Sequence, residues 1–311
     1  MTEYKHIPVL YNEVLTGLKI NPQGIYFDGT LGGAGHSEGI LKRLTTGKLI
    51  ATDKDNAAIE NARKKLADYA DKLFLINDDY KNIIGHLKKM GISALDGILL
   101  DLGVSSYQID TPERGFSYIN DAPLDMRMDT SQSKNAYQVI NEYDERELAD
   151  ILFNYGEEKY AKKIASKIVS QRKIKPIEST LELAELVNSC IPPKERYARG
   201  NPAKRIFQAV RIEVNDELKG LKEFISEIVI FYLKKGGRMC VITFHSLEDR
   251  IVKHCFKELE TDCICDKRLP MCVCNKRKEI EIITKKPICG EKEADINKRA
   301  SSARLRIIER V

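Results

Sequence analysis

The chain has 311 residues, 42% of them hydrophobic and 31% charged, with a formal net charge of +5. Those proportions describe a globular protein of one large or two ordinary domains and exclude a disordered or low-complexity chain. No apolar run approaches the roughly 20 residues a bilayer span needs, and the first residues carry no signal-peptide core, so the expectation is a cytoplasmic protein with no membrane partner.

In chain order, His6-Ile-Pro-Val-Leu10 and Val14 to Leu18 form a short lead-in. Ile25, Tyr26 and Phe27 read as a buried strand ended by Asp28. A glycine-crowded turn follows, Gly29-Thr-Leu-Gly-Gly-Ala-Gly-His-Ser37, then a helical pattern through Ile40, Leu41 and Leu44. A strand, a glycine turn and a helix open the nucleotide-binding half of many α/β folds. Counting from Gly33 and Gly35, the third glycine of a dinucleotide fingerprint falls on Glu38, and no Gly-Lys-Ser/Thr follows for a phosphate loop. Asp28 and Glu38 would repel a polyphosphate. A nucleoside without phosphates fits better, and S-adenosylmethionine is such a ligand.

Leu49 to Thr52 reads as a second strand ending at Asp53, about 25 residues after Asp28, where an α/β nucleoside site places its ribose-binding carboxylate. Asp53 as a mere helix cap is the alternative. Ala57 to Leu66 is helical, and Leu73 to Ile76 is a third strand. Tyr80 beyond it either stacks on a flat base or fills core. Ile83 to Met90 is helical, and Leu95 to Leu100 delivers Asp101 to the same carboxyl edge. The alternation predicts a parallel sheet with its ligand outside the strands' carboxyl ends.

After Asp101 the rhythm breaks into a long polar connection and then helices at Asn135–Asn141, Glu145–Tyr155, Glu158–Arg172 and Leu181–Cys190. The expected division is a discontinuous core, residues 1–109 and 208–311, around an all-helical insert, residues 110–207. The insert and the start of the next helix are rich in lysine and arginine, which suits a polyanion. One long helix is expected from Ala203 to Lys235, with Gly236-Gly237 as its cap. Met239 to Phe244 is the fifth strand and delivers His245 and Ser246. Asp249 to Phe256 is helical, and Glu281–Thr284 with Leu305–Ile308 form a closing antiparallel pair. A hydrolytic Ser246–His245 pair is rejected, because neighbours on a strand point to opposite faces.

Of the eight cysteines, Cys240 lies in an apolar strand and is expected in the core. Cys263, Cys265, Cys272 and Cys274 form two Cys-x-Cys pairs six residues apart. Four thiolates can bind zinc, but ligand pairs usually enclose two or more residues, so reduced free thiols and no metal are expected.

These motifs together resemble the bacterial small-subunit ribosomal RNA methyltransferase H family, also called MraW, over essentially the whole chain. The resemblance rests on residues 6–10 and 28–37, Asp101-Leu-Gly-Val-Ser-Ser106, Gln108 to Ser117, Pro123 to Asp129 and Pro202-Ala-Lys-Arg205 with Gln208. It continues through Val214-Asn-Asp-Glu217, Ile242-Thr-Phe-His-Ser-Leu-Glu-Asp-Arg250 and Ser301 to Arg306. It implies an α/β, Rossmann-like S-adenosylmethionine-dependent methyltransferase sheet with an inserted all-helical domain. It also implies methylation of a cytidine at N4 in the decoding region of 16S rRNA, with the small ribosomal subunit as partner. Carried over by motif, Gly35, His36, Ser37, Asp53, Tyr80, Asp101 and Gln108 line the cofactor site, with Gly33 in the same turn. Asp101 is expected to bind cofactor or hold the reacting amine, and His245 is the most available general base. Arg127, Arg199, Lys204 and Arg205 are the candidates for phosphate contacts. A non-catalytic RNA-binding scaffold and a DNA amine methyltransferase of the same fold stay open as alternatives, as does monomer against dimer.

Overall fold

A computed structural model describes residues 8–196, 200–266, 271–295 and 297–311. The chain divides into two compact units, one holding the residues up to Gly103 and from Lys219 onward, the other Val104–Leu218.

The first unit opens with α1 (Tyr11–Gly17), then β1 (Ile25–Asp28), α2 (Gly35–Leu41), β2 (Lys48–Asp53), α3 (Asn56–Lys65), β3 (Leu73–Asn77), α4 (Ile83–Lys89) and β4 (Leu95–Asp101). The strands are short runs of β-branched, aromatic and leucine residues, and each ends on a polar side chain. Asp55 starts α3 by accepting the Ala57 N–H at 3.0 Å, so the helix-capping role weighed for Asp53 belongs to its neighbour.

The second unit is helical: α5 (Ser106–Asp110), α6 (Ala136–Glu142), α7 (Glu145–Asn154), α8 (Ala161–Arg172), α9 (Thr180–Cys190), α10 (Pro193–Arg196) and α11 (Pro202–Asn215). Capping boxes start α5, α6, α7 and α9, through Ser105/Gln108, Asn135/Gln138, Asp144/Glu147 and Ser179/Glu182. Each satisfies two backbone N–H groups that a helix start leaves unpaired. The core of this unit joins Val139, Leu148, Leu152, Ile164, Ile168, Leu183, Val187, Ile206 and Val210, all fully buried.

The chain returns to the first unit with α12 (Leu221–Phe231), β5 (Leu233–Thr243), α13 (Ser246–Glu260), β6 (Ile280–Ile282), β7 (Ile288–Cys289) and β8 (Arg304–Arg310). The single helix expected from Ala203 to Lys235 is therefore two. Asp216 takes a left-handed conformation (φ 49°) and Gly220 another (φ 74°). Asn215 holds the break: its side chain accepts the Met128 N–H at 2.8 Å and donates to the Met126 carbonyl at 2.8 Å. The apolar stripe is continuous in sequence but serves two cores. Ile206 and Val210 enter the helical core, while Leu221, Ile225 and Ile228 enter the sheet's. Gly236 and Gly237 do not cap a helix. They lie in β5 at an irregularity where Leu95 pairs with Leu233 and Gly97 with Arg238. A Cβ on Gly237 would sit 2.8 Å from the Lys234 carbonyl oxygen and 3.0 Å from that of Asp96.

The sheet order is β3-β2-β1-β4-β5-β8-β6, with β7 also paired to β8. β1 to β5 are mutually parallel, and β8 runs antiparallel to β5, β6 and β7. Both faces are covered. Phe27, Ile50, Ile98, Leu100, Met239 and Val241 join one buried cluster, and the residues between them, Tyr26, Leu49, Ala51, Leu99, Cys240 and Ile242, join another. That is the period of two expected of strands buried on both sides. The winding reverses between β1 and β4, so the crevice outside their carboxyl ends is where this kind of sheet binds a ligand.

The sheet's far side is locked by an ion pair. Asp249 on α13 accepts from Arg306 on β8 at 2.7 and 2.9 Å, and from Arg304 at 3.2 Å. Burial pushes the Asp249 carboxyl up, but the Arg306 guanidinium outweighs it and holds the group below the ordinary range. Removing one partner of a buried pair leaves the other charge uncompensated. Asp249→Ala should therefore lower unfolding free energy by about 3–5 kcal/mol, read by urea titration. A loss under about 1 kcal/mol, typical of an exposed pair, would show that the lock is not buried in the folded protein.

Candidate functional site

The reversal in strand order places β1, β2 and β4 side by side, and each delivers an aspartate to the carboxyl edge. Asp28 pairs across to Ala51 on β2 and Leu99 on β4, so Asp53 and Asp101 each lie two residues further out. Asp28 is buried, accepts from the Ser37 hydroxyl at 2.7 Å and from the Thr30 N–H at 3.1 Å, and fixes the start of the glycine turn. Asp53 accepts the N–H of Gly32 at 2.8 Å on one oxygen and that of Asp55 at 2.8 Å on the other. Two backbone donors thus fix its plane and still leave lone pairs for a ligand's hydroxyls.

The glycine turn winds tightly around these groups. Gly32 has φ 49° and Ala34 has φ 60°, and a Cβ on Gly35 would come within 2.2 Å of Pro8 Cγ. Glycine at 35 is thus a packing requirement as α2 begins. Threonines that the sequence pattern did not single out complete the frame. Thr30 Oγ1 accepts the Asp101 N–H at 2.5 Å, and the Thr52 hydroxyl donates to the Gly29 carbonyl at 3.1 Å. The signal that could have found Thr30 is its place two residues after a strand-ending aspartate, where its N–H closes a turn onto that carboxylate.

Asp101 is the least satisfied of the three carboxyl groups. Its Oδ1 is buried with no hydrogen-bond partner, and its Oδ2 lies 3.6 Å from His36 Nδ1. His36 is buried, and its Nε2 lies 3.1 Å from the Val9 carbonyl, which accepts a proton held there. In the neutral ring that leaves Nδ1 as the acceptor facing Asp101. Burial, then the charges of Asp28 and Glu248, push the Asp101 carboxyl well above the ordinary aspartate range. Burial also raises Asp28 to about 7 and Asp53 to about 6, against the hydrogen bonds that favour their ionised forms. Three clustered acids whose ionisation is resisted by burial and mutual repulsion form a site that a cation would relieve and a phosphate would aggravate.

Other expected site residues are occupied differently. Ser37 is fully buried with its hydroxyl on Asp28, so it positions an acid instead of facing a ligand. Tyr80 is buried and packs edge-on against Phe224 with ring centroids 5.0 Å apart, which fills the core role. The Gly33 carbonyl accepts from Lys65 at 3.0 Å. Gln108 belongs to the helical unit, where its side-chain oxygen accepts the Ser105 N–H at 3.0 Å in a capping box. His245 caps α13: its Nδ1 takes the Glu248 N–H at 3.5 Å, and its Nε2 lies 3.1 Å from Glu248 Oε1. Glu248 in turn accepts the N–H of Phe244 at 2.9 Å. A base role would require His245 to leave that cap.

The phosphate candidates divide in the same way. Arg127 spends its Nε and one terminal nitrogen on Asp125, at 2.8 and 2.9 Å, and the other terminal nitrogen on the carbonyls of Thr130 and Gln132. Arg205 pairs with Glu158, which is only 1% exposed, at 2.8 and 2.5 Å. Both arginines hold the helical unit together. Lys204 is exposed in the first turn of α11, which Asn201 caps through the Ala203 N–H. Arg199 lies outside the described residues.

Comparison with known proteins places this site in context. The model of the MraW methylase family matches residues 3–311. A ribosomal RNA small subunit methyltransferase H from Clostridium botulinum (strain Kyoto / Type A2) is 52% identical, covering 99% of this chain and 100% of its own. Its counterpart from Clostridioides difficile (strain 630) is 48% identical, with the same coverage. Among solved structures, an rRNA methylase from Streptococcus thermophilus aligns at 11% identity over 97% of this chain and 93% of its own, with a TM-score of 0.38. At that level it adds nothing to the fold assignment, which rests on the strand order.

The raised carboxyl groups make stability depend on pH in a defined direction. Between the ordinary aspartate value of 3.8 and about 7, folded Asp28 keeps a proton that the unfolded chain has released. The folded state binds more protons there, so this group's contribution to stability falls as pH rises and is fully lost above about 7. Asp28→Asn keeps an acceptor for Ser37 and removes the titration. The melting temperature of the variant should decline less between pH 4 and pH 7 than that of the parent, by an amount equivalent to about 2–4 kcal/mol. Parallel profiles would show that Asp28 titrates normally.

Proposed function

The chain belongs to the MraW methylase family, and on that premise we propose that it methylates the N4 amine of a cytidine in the decoding region of 16S small-subunit rRNA, using S-adenosylmethionine. The observation that carries the reading is the triad of Asp28, Asp53 and Asp101 at the switch point of the sheet. A ligand that brings a ribose and a positive charge, and no phosphate, suits these groups. The names of the relatives at 48–52% identity support rRNA as the acceptor.

In this reading Asp53 holds the ribose hydroxyls, and the turn from Gly32 to Gly35 lets backbone approach the nucleoside. When bound, the cofactor supplies an electrophilic methyl group on a sulfonium. Asp101 then does two things. Its carboxylate, a quarter exposed and with no donor on Oδ1, is an acceptor for an N–H of the cytosine amine, whose lone pair is delocalised into the ring and makes it a poor nucleophile. Fixing that amine is the kind of positioning that lowers a barrier by several kcal/mol. An amine that has accepted the methyl group would be cationic and its proton acidic. Asp101 would receive that proton, with His36 Nδ1 3.6 Å from its Oδ2, so no strong base is needed. The target base must leave its stack, at a few kcal/mol, and exposed lysines such as Lys204 are candidates for phosphate contacts.

Labelled S-adenosylmethionine incubated with unmethylated small subunits should yield N4-methylcytidine on nucleoside mass analysis. Asp101→Ala should reduce turnover by at least about 100-fold while cofactor still binds. Label in another nucleoside, or full activity in the variant, would overturn the assignment. Lys204→Ala should weaken rRNA binding and reduce the slope of log affinity against log salt by about 1. An unchanged slope would remove Lys204 from the interface.

A further inference from the structure

We propose that Cys263, Cys265, Cys272 and Cys274 bind a structural zinc ion in a closed tetrathiolate site, which orders the connection between α13 and β6.

The argument starts from where the cysteines lie. Cys190, Cys240 and Cys255 are buried, as free cysteines usually are. The four in the connection are not: Cys263 and Cys272 are exposed, and Cys265 and Cys274 only partly covered. Their apolar neighbours find no core either. Ile264, Met271 and Val273 are 71%, 72% and 67% exposed. Hydrophobic burial therefore does not draw these sulfurs together, yet all four lie within 4.8 Å of one another.

The spacing is that of a metal polyhedron. Cys263 to Cys272 and Cys272 to Cys274 are 3.5 Å apart, and Cys265 to Cys272 and Cys274 to Cys263 are 3.9 Å apart. Four sulfurs placed tetrahedrally at about 2.3 Å from zinc stand about 3.8 Å from each other. Disulfide sulfurs would be about 2 Å apart.

Backbone donors are aimed at the sulfurs as they would be at thiolates. Cys263 accepts the Cys265 N–H at 3.4 Å, and Cys265 accepts the Val273 N–H at 3.3 Å. Cys274 accepts the N–H of Ile264 at 3.5 Å. The bonds from Val273 and Ile264 are reciprocal and clamp the two Cys-x-Cys segments face to face. The bond from Cys265 back to Cys263 explains how one intervening residue suffices, because a tight turn folds both sulfurs to the same side. Asn275, left-handed at φ 51°, turns the chain after the last ligand. Four protein ligands leave no open coordination position, so the ion would be structural and would take no part in methyl transfer. Loading the site releases the thiol protons to solvent, and the four negative sulfurs outweigh the ion's two positive charges. Lys276, Arg277 and Lys278 follow after Asn275 in the chain and bring compensating charge.

The test uses the full-length protein purified under reducing conditions without chelator. Elemental analysis should find about one zinc per chain. The Cys263→Ser/Cys274→Ser double variant should lose it, and Cys289→Ser, which changes an exposed cysteine outside the cluster, should keep it. Since the double variant could lose its fold for other reasons, cobalt(II) is also exchanged into the unaltered protein. It should produce sulfur-to-cobalt charge-transfer absorption and intense tetrahedral d–d bands. Reduced protein that contains no zinc and gives no such bands with cobalt would overturn the proposal. So would zinc retained in a folded double variant, or two disulfides among these four cysteines in metal-free protein.

Discussion

Placing three acids at the carboxyl ends of adjacent parallel strands is the constraint on which the rest of the first unit depends. Parallel strands all end on the same edge, so the polar residues that terminate β1, β2 and β4 must converge. Burial there resists ionisation, and neighbouring charge adds to it, that of Asp53 at Asp28 and that of Asp28 at Asp101. The fold answers with hydrogen bonds. Ser37, Thr30 and the N–H groups of Gly32 and Asp55 are all directed at these groups. Of the three acids, Asp101 alone keeps a bare buried oxygen, while hydrogen bonds fix the carboxylates of the other two.

The helical unit uses its charges differently from what its composition suggests. Arg127 and Arg205 are both candidates for a polyanion from the sequence, but each is tied to an acid of its own unit. Glu158 is almost fully buried, so without Arg205 it would be a lone charge away from water. Arginine's planar fork suits such fixed pairs, whereas lysine carries a mobile point charge on a flexible stem. The division of labour follows from that difference. The arginines build the unit, and exposed lysines such as Lys204 are free to meet phosphates.

Two cysteine environments show the same economy of cause. Cys240 is fully buried in β5, where its thiol is a small apolar group. The four sulfurs between α13 and β6 stand among described apolar residues that are exposed, Ile264, Met271 and Val273, and are gathered at distances that neither packing nor disulfide bonding explains.

Local patterns determined much of this protein from the sequence alone. The first four strands and the helices after them were legible because hydrophobic period, β-branching and polar strand ends are short-range signals. Asp53 and Asp101 could be named because a strand's last residue is read from the strand itself. Tertiary structure decided the rest. The break between α11 and α12 depends on Asn215 reaching Met126 and Met128, nearly ninety residues away in the chain, while the apolar stripe runs through it unbroken. Whether a serine, arginine or histidine faces a ligand or a neighbour depends on which distant groups the fold brings to it. Ser37 met Asp28, Arg205 met Glu158, and His245 closed on Glu248. Periodicity reports which face of an element is buried. It does not report the partner across the space, because that partner is set by packing between segments far apart in sequence.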